Sequence, residues 1–327
     1  MPCDAAVHPS GPARTNRLNH NRYIPAIAGA DMLLTVFTPT YNRANTLRRT
    51  FESLCCQKFK DFEWIIVDDG STDDTEDLVH QFINEAHFPI KYIRQEHGGK
   101  HRAYNRAIGI AEGELFFTVD SDDWLTDDSL SIIAENQDRL RGNGLVGGII
   151  ALKKKPDAGI YGNHFPQAVM EATLEDLEAA GCDGERSFVL KTEIARRYPF
   201  PEFDGEDFVT ESVVFDRIGS DWSFLAVDKS LTICEYQAGG LSSGIYKQMW
   251  NNPTGFMVYH SQRTDMALSW RKVIKHALRY QAFRRIAPYN AQWSVYRGRH
   301  GALVALVAPS GFLGKIYYRF KMAAERD

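Results

Sequence analysis

A short apolar run that ends abruptly in three carboxylates constrains this chain more than any other feature. Residues 115–119 are aromatic and β-branched, which is typical of a strand buried on both faces. Asp120, Asp122 and Asp123 follow at once, and such closely spaced carboxylates repel one another and resist leaving water. A divalent cation would relieve both costs, because hard oxygen ligands suit Mg²⁺ or Mn²⁺. A solvated acidic turn that caps a helix from about Ser129 is the alternative interpretation.

Strands and helices alternate around this run. Apolar segments rich in β-branched residues predict strands at 33–37, 62–67, 90–94, 115–119 and 145–152. Amphipathic segments predict helices that begin near residues 45, 75 and 100 and lie between those strands. The alternation predicts an α/β fold with right-handed βαβ units, in which helices flank a mostly parallel nucleotide-binding sheet.

The glycine motifs that usually bind phosphates in such folds are missing. No Gly-x-Gly-x-x-Gly follows the first predicted strand, and the sequence contains no Walker loop. A dinucleotide-binding dehydrogenase is therefore excluded. A bound diphosphate would need another anchor, and a metal ion held by the carboxylates after the fourth strand would provide one.

Three loops at carboxyl ends of strands should converge, because open α/β sheets bind ligands at that edge. In these loops Tyr41 can stack on a base, and Asp68 can accept a hydrogen bond from a pyrimidine imino group. Arg43 and Lys100 can reach phosphates. A simple capped turn remains the alternative for the run that begins at Asp68.

Five motifs occur here in an order that resembles the inverting family-two glycosyltransferases of GT-A fold. They are Phe37-Thr-Pro-Thr-Tyr-Asn-Arg43, Val67-Asp-Asp-Gly-Ser-Thr72, Gly98-Gly-Lys100 with Asn105, Glu112-Gly-Glu114 and Val119-Asp-Ser-Asp-Asp123. The resemblance covers about residues 33–236. It implies a sugar donor activated by a nucleoside diphosphate, most often UDP, together with Mn²⁺ or Mg²⁺.

The resemblance also implies roles for individual residues. It places Asp120 against the ribose and makes Asp122 the metal ligand, with Asp120 as a second candidate ligand. The family often adds a histidine ligand near the end of the domain, but the matching stretch 235–242 has none, so Gln237, or phosphates and water, would complete the site. The donor-binding residues implied are Thr38, Pro39, Tyr41, Arg43, Asp68, Asp69, Lys100, Asp120 and Ser121.

A general base is expected in an acidic cluster further along the chain. The pattern after residue 203 predicts a helix with Glu206 and Asp207 in its first turn and Glu211 one turn later. The resemblance implies that Asp207 is the base. On this helical geometry Glu211 would orient Asp207 or a substrate hydroxyl, and Glu206 would serve the helix terminus or the acceptor.

Charged residues are distributed unevenly along the 327-residue chain. Residues 261–327 carry 13 Lys and Arg against 3 acidic residues, whereas the preceding 260 carry 25 basic and 39 acidic residues. We predict a disordered extension at 1–31 and a GT-A domain at 32–245, with a donor half at 32–152 and an acceptor half at 153–245. A helical basic region at 246–327 should either lie on an anionic membrane surface or pack back on the domain.

The expected activity is transfer of a sugar, with inversion, from a nucleotide-diphospho-sugar to a glycan or lipid-linked acceptor in cell-surface polysaccharide synthesis. A nucleotidyltransferase and a nucleotide-sugar-binding pseudoenzyme are the alternatives. Five cysteines without Cys-x-x-Cys spacing favour a reducing cytoplasm. We therefore expect a cytoplasmic protein, peripheral at the inner face of the membrane, with no nucleic-acid partner.

Overall fold

The computed structural model describes residues 32–157, 159–235, 244–290 and 292–325. The predicted extension at 1–31 and the question of Gln237 lie outside these ranges. Within them the strands are β1 (Leu34–Thr40), β2 (Phe62–Asp68), β3 (Ile90–Arg94), β4 (Leu115–Thr118), β5 (Trp124–Leu125), β6 (Val146–Lys154), β7 (Val169–Ala172), β8 (Arg186–Lys191) and β9 (Ser223–Ile233).

The helices of the first 221 residues alternate with these strands. They are α1 (Ala44–Cys55), α2 (Thr75–Glu85), α3 (Lys100–Ile110), α4 (Ser129–Glu135), α5 (Gln137–Arg141), α6 (Leu174–Ala179), α7 (Thr192–Arg197) and α8 (Ser212–Asp221). The helices of the C-terminal region are α9 (Ile245–Asn251), α10 (Pro253–Met266), α11 (Trp270–Ile286), α12 (Gly301–Leu306) and α13 (Gly311–Ala324).

One sheet runs through the molecule in the order β3-β2-β1-β4-β8-β6-β9-β5, and β7 pairs with β9. The four strands β3, β2, β1 and β4 are parallel neighbours, so their carboxyl ends share one edge. Beyond β4 the sheet is mixed: β8 is antiparallel to both β4 and β6, and β6 is parallel to β9. This confirms the predicted α/β fold, in which helices flank a central sheet.

Alternate side chains of the parallel strands build two cores, one on each face of the sheet. Leu34 and Trp64 pack with α1, α2 and α4 on one face, whereas Phe37, Ile65 and Phe116 pack with α3, α7 and α8 on the other. Burial on both faces explains why these strands read as nearly continuous apolar runs.

One helix prediction in the second half of the chain was wrong. The helix predicted after residue 203 begins only at Ser212. Glu206 and Asp207 therefore lie in an irregular segment, and the expected helical relation to Glu211 does not exist.

The C-terminal helices form a third core and also pack on the catalytic sheet. Phe256 and Phe283 stack with ring centroids 5.5 Å apart, joining α10 to α11. Val258 of α10 belongs to the core beneath α8, and Trp293 contacts Phe203 edge-on. Among the described helices, none combines the length and the apolar composition needed to cross a bilayer.

Candidate active site

The loops after β1 and β2 are held together by hydrogen bonds. Asn42 has a positive φ of 51°, and its side-chain oxygen accepts from the backbone N–H of Thr72 at 2.8 Å. Its own N–H donates to the hydroxyl of Ser71 at 2.9 Å. Asparagine tolerates this left-handed conformation better than most residues do. The bonds fix Tyr41 and Arg43, on either side of Asn42, against the second loop.

The third loop follows β4 and is held from α1. The Thr50 hydroxyl donates to the backbone oxygen of Asp123 at 2.7 Å, and the Arg49 guanidinium donates to that of Asp122 at 2.8 Å. Arg49 also lies over the Trp124 ring, 3.7 Å from its centroid. Helix α1, which follows β1, thus positions the loop that follows β4.

The three carboxylates of this loop diverge, and each faces a different cation. The Nζ of Lys153 lies 2.9 Å from Asp123, which is buried. A nitrogen of Arg43 lies 3.7 Å from Asp122, and Lys100 forms an ion pair with Asp120. Protein cations therefore offset much of the repulsion that the sequence predicted for this cluster.

Lys100 joins two acidic groups that are far apart in sequence. Its Nζ contacts Asp120 and lies 2.7 Å from Oε1 of Glu211. Burial alone would lower the pKa of Lys100, but the two carboxylates raise it above its ordinary value. Burial would raise the pKa of Asp120, yet Lys100 and Lys153 bring it below its ordinary value. The lysine is therefore charged at neutral pH.

Asp69 organises the turn that opens α3. Its carboxylate accepts from the backbone N–H groups of Gly98 at 3.0 Å and Gly99 at 2.7 Å. Gly99 has a φ of 96°, and a Cβ there would overlap the carbonyl oxygen of Asp207. Only glycine lets the segment around Asp207 approach this turn so closely.

A cleft of about 1080 Å³ opens over these loops. Tyr41 stands at its rim, 43% exposed, with its ring stacked on His97 at a centroid distance of 4.2 Å. The sequence-predicted residues that line the cleft are Pro39, Tyr41, Arg43, Asp69, Lys100, Asp120, Ser121, Asp122, Asp207 and Glu211.

Thr38 and Asp68 do not line this cleft, and their expected role in donor binding stays a prediction. Thr38 is buried, and its hydroxyl accepts from the indole N–H of Trp64 at 2.9 Å. Asp68 is also buried, and its carboxylate accepts from Ser71 N–H and the Tyr92 hydroxyl, each at 2.8 Å. Both side chains support the loops from behind.

The three candidate bases have different environments. The side chain of Asp207 is 56% exposed in the cleft, with Oδ2 4.0 Å from Nε2 of His97. Glu211 is engaged by Lys100. Glu206 is buried, and its carboxylate accepts from the N–H groups of Thr254 at 2.6 Å and Gly255 at 2.9 Å. Glu206 thus serves a helix terminus, as one alternative held, but the helix is α10.

The segment that carries Asp207 is held from the C-terminal region. The side-chain oxygen of Asn252 is buried in front of α10 and accepts from the N–H groups of Asp207 at 2.8 Å and Phe208 at 2.9 Å. With Glu206 capping α10 in return, the two segments fix each other. The position of the candidate base therefore depends on helices that lie outside the predicted donor and acceptor halves.

Three residues that line the cleft were not predicted from the sequence. Thr40 and His101 are buried, and neither the Thr40 hydroxyl nor the His101 ring has a hydrogen-bond partner among the described residues. Burial lowers the pKa of His101 to about 4, so its ring is neutral at pH 7. Lys153 lies near the end of β6. Its place in a run of three lysines is the one sequence signal that could have indicated it.

The donor set for a metal ion is small. Among the described residues no three His, Cys, Asp or Glu side chains cluster so as to hold an ion by themselves. Asp120 is engaged by Lys100, which leaves Asp122, 27% exposed, as the available carboxylate. These residues fit a divalent cation whose remaining ligands are phosphate oxygens and water.

The family model for glycosyl transferase family 2 matches residues 35–204, which is slightly more than half of the chain. The chain belongs to this family. The match confirms the resemblance noted in the sequence, and it ends just before the segment that carries Asp207.

Two similar proteins are bacterial glycosyltransferases. The chain is 30% identical over 148 residues to the poly(ribitol-phosphate) β-N-acetylglucosaminyltransferase TarS of Staphylococcus aureus, covering 45% of this chain and 24% of TarS. It is 38% identical over 98 residues to the glycosyltransferase GlyA of Streptococcus pneumoniae, covering 30% of this chain and 14% of GlyA. The chain thus matches a minor part of each relative.

Structural similarity reaches further along the chain. The solved structure of S. aureus TarS 1–349 aligns over 90% of this chain and 91% of its own, with a TM-score of 0.53 and 18% identity. At this identity the likeness concerns the fold alone. It includes the helical C-terminal region as well as the sheet.

Proposed function

We propose that this glycosyltransferase moves a sugar from a nucleotide-diphospho-sugar, UDP-linked in the first instance, to a glycan or lipid-linked acceptor with inversion, in cell-surface polysaccharide synthesis. TarS, named for transfer to poly(ribitol phosphate), has also been solved in complex with UDP-GlcNAc. The abequosyltransferase RfbV of Salmonella typhimurium is 37% identical over 105 residues, covering 31% of this chain and 32% of RfbV. These relatives support the donor class and the kind of product.

One observation carries the proposal. A single cleft contains both an exposed carboxylate, Asp207, and three cations, Arg43, Lys100 and Lys153. The cations suit the charge of a diphosphate leaving group, and the carboxylate suits removal of a proton from an acceptor hydroxyl. This combination is what single-step displacement at an anomeric carbon requires.

Each cleft residue has a defined part in the proposed reaction. Tyr41, already stacked on His97, would offer its ring to the base, and Arg43 and Lys100 would bind the diphosphate. Lys100 would exchange its contact with Asp120 or Glu211 for phosphate oxygens. Asp207 would take the proton of the attacking hydroxyl.

Asp122 would hold a Mn²⁺ or Mg²⁺ ion together with the diphosphate, as its exposed carboxylate in the cleft permits. Such an ion, when bound, stabilises the charge of the departing diphosphate. Arg43, which lies close to Asp122, would then shift toward the phosphates.

The nucleotidyltransferase alternative is less well supported. A triphosphate would need a basic, glycine-rich first loop, whereas residues 38–43 contain one arginine and no glycine. A pseudoenzyme that only binds nucleotide-sugars would retain the donor residues but would have no use for an exposed carboxylate at position 207.

We also propose that the C-terminal region rests on an anionic membrane surface. One side of α13 packs on α11 through Gly311, Gly314 and Tyr318. The other side exposes Phe312, Leu313, Ile316 and Phe320, with exposed fractions up to 73%. Lys315, Arg319 and Lys321 accompany them on the same helix. Apolar side chains beside basic ones suit an interface of lipid tails and acidic headgroups.

The test of the transferase proposal is replacement of the candidate base. Asp207→Asn should keep nucleotide binding and lower kcat by about 10² to 10⁴, the usual span for general-base catalysis. NMR of the wild-type product should show an anomeric configuration opposite to that of the donor. Glu211→Gln is the matched variant, because it neutralises a carboxylate of the same cleft.

Retention of the donor configuration would refute inversion. An active Asp207→Asn together with an inactive Glu211→Gln would show that the base is Glu211 instead.

A further inference from the structure

An exposed apolar surface begins at the rim of the cleft. Met266, the last residue of α10, and Leu268, in the connection to α11, both line the cleft, and the Leu268 side chain is mostly exposed. Lys272, in the first turn of α11, pairs with Glu178, which also lines the cleft. The start of α11 therefore lies at the mouth of the cleft, and an apolar side chain forms part of that mouth.

This surface continues along α11. Trp270, Ile274 and Leu278 follow one another at intervals of four residues, so their side chains share one face of the helix. All three are exposed, Trp270 by 68%. The Trp270 ring contacts the His300 ring edge-on, with centroids 5.5 Å apart, which supports the indole while leaving it open to solvent. We call Leu268, Trp270, Ile274 and Leu278 the apolar stripe.

The apolar stripe leads from the cleft to the start of α13. Gln281 lies two helical turns after Ile274 and therefore on the same face of α11. Gly311, the first residue of α13, packs closely there, because a Cβ added to it would lie 2.5 Å from the carbonyl oxygen of Gln281. The exposed Phe312 follows at once. Apolar side chains thus extend from the mouth of the cleft to the side of α13 that we place against the membrane.

Two cations border the apolar stripe. Arg271 and Lys275 each follow a stripe residue by one position, which places them about 100° round α11 from it. Both are exposed, and neither forms an ion pair within the described residues. Lys272, in contrast, is paired with Glu178. A phosphate group beside the stripe would therefore meet the charges of Arg271 and Lys275.

We propose that the apolar stripe binds the hydrocarbon chain of a lipid-linked acceptor, whose phosphate contacts Arg271 or Lys275 and whose saccharide enters the cleft. The inference rests on the proposed function, because it selects the lipid-linked class for the same site. A contiguous row of large exposed apolar side chains is an unfavourable surface in water, and such surfaces mark sites of interaction. A hydrocarbon chain laid on the stripe removes apolar surface of both partners from water.

The arrangement suits an acceptor that stays partly in the bilayer. Its chain would leave the membrane at α13, follow the stripe and bring the saccharide to the mouth of the cleft. The part of the stripe on α11, from Trp270 to Leu278, spans about 12 Å, because each helical residue rises about 1.5 Å. A glycan without a lipid has no chain to lay on this surface. The stripe would therefore favour lipid-linked acceptors over free glycans.

Calorimetric titration of the full chain with dodecyl phosphate and with butyl phosphate, in the presence of UDP and Mn²⁺, tests the proposal. The longer chain should bind at least about tenfold more tightly, because it buries more methylene groups. Ile274→Ser with Leu278→Ser should remove most of this difference and leave UDP binding unchanged. Ile83→Ser with Ile110→Ser, at sites on α2 and α3 of matched exposure outside the cleft, is the control and should change neither affinity. A diazirine on the dodecyl chain should label residues 268–278.

Equal affinity for the two phosphates, or a dodecyl phosphate affinity that the α11 double variant does not lower, would overturn the inference. Labelling confined to α13 would also overturn it, because the chain would then lie on the membrane-facing side alone. A wild-type dimer that the α11 double variant converts to a monomer would assign the stripe to a second copy of the chain instead. Failure of UDP itself to bind would refute the proposed function, so the two failures are distinguishable.

Discussion

The contacts of single residues in this site depend on the direction of their side chains, which sequence spacing alone does not reveal. Asp68 and Asp69 are adjacent and chemically identical. Asp68 ends β2 and points back to Tyr92, whereas Asp69 holds the glycine turn before α3. The sequence could predict that carboxylates gather at this edge, because parallel strands end together there. It could not predict which of the two neighbours lines the cleft.

The Asp120–Asp123 cluster was also predictable only in part. Its place at the end of a central strand was predictable, but the pairing of each carboxylate with its own cation was not. Lys153 comes from a strand thirty residues away, and Arg43 and Lys100 come from two different loops. Long-range ion pairs of this kind leave no local pattern in the sequence.

Asp122→Ala tests the metal proposal at this scale. The nearest cation, Arg43, is partly exposed and 3.7 Å away. The free energy of unfolding of the variant should therefore stay within about 1 kcal/mol of the wild-type value. Calorimetric titration with UDP should lose its dependence on Mn²⁺. Asp127→Ala, at an exposed carboxylate outside the cleft, is the control. Mn²⁺-dependent binding that survives in Asp122→Ala would show that the ion is held elsewhere.

Elements of secondary structure were predicted well where the chain is locally consistent. The strand expected at 90–94 and the helix expected to open near residue 100 match β3 and α3. The helix predicted to contain Glu206 and Asp207 does not form, and this has a specific cause. Glu206, Asp207 and Phe208 are bound to the start of α10, about 45 residues further along, and these bonds replace helical ones.

Glu206→Ala should therefore act on stability. Its carboxylate caps α10 while buried, and removing it leaves the N–H groups of Thr254 and Gly255 without partners. Unfolding in urea should show a loss of about 1 to 3 kcal/mol, the usual cost of a buried unsatisfied group. Glu52→Ala provides an exposed glutamate for comparison. A fully stable Glu206→Ala protein with no activity would instead place Glu206 in the chemistry.

The exposed side of α13 makes a prediction about membranes. Phe312→Ser with Phe320→Ser should strongly reduce co-sedimentation with vesicles that contain an anionic phospholipid, because each inserted side chain contributes about 1.5 to 3 kcal/mol. Leu145→Ser, an exposed apolar site in the turn before β6, should leave co-sedimentation unchanged. These point variants are preferable to truncation, since α10 holds Asp207 in place.

Undiminished co-sedimentation of the double variant would show that the exposed side of α13 is not the membrane contact, and absence of co-sedimentation by the wild-type protein would argue against the membrane. A second copy of the chain would then be the occupant to seek, by measuring the oligomeric state.

At the scale of the whole molecule, ion pairs join the acidic body to the basic C-terminal region. Arg263 and Lys272 of the basic region pair with Asp216 and Glu178 of the body. The charge asymmetry visible in the sequence thus serves partly to join the two regions, in addition to any role toward a membrane. Composition alone predicted the asymmetry but not this use of it.

The central claim is that the cleft binds a nucleoside diphosphate, and a thermal-shift titration with UDP, GDP and CDP, each with and without Mn²⁺, tests it most directly. A ligand of the folded state stabilises it by about 2.7 kcal/mol at a hundredfold excess over its dissociation constant. We predict a concentration-dependent rise in Tm, largest for UDP with Mn²⁺. No rise with any of the three nucleotides would contradict the account.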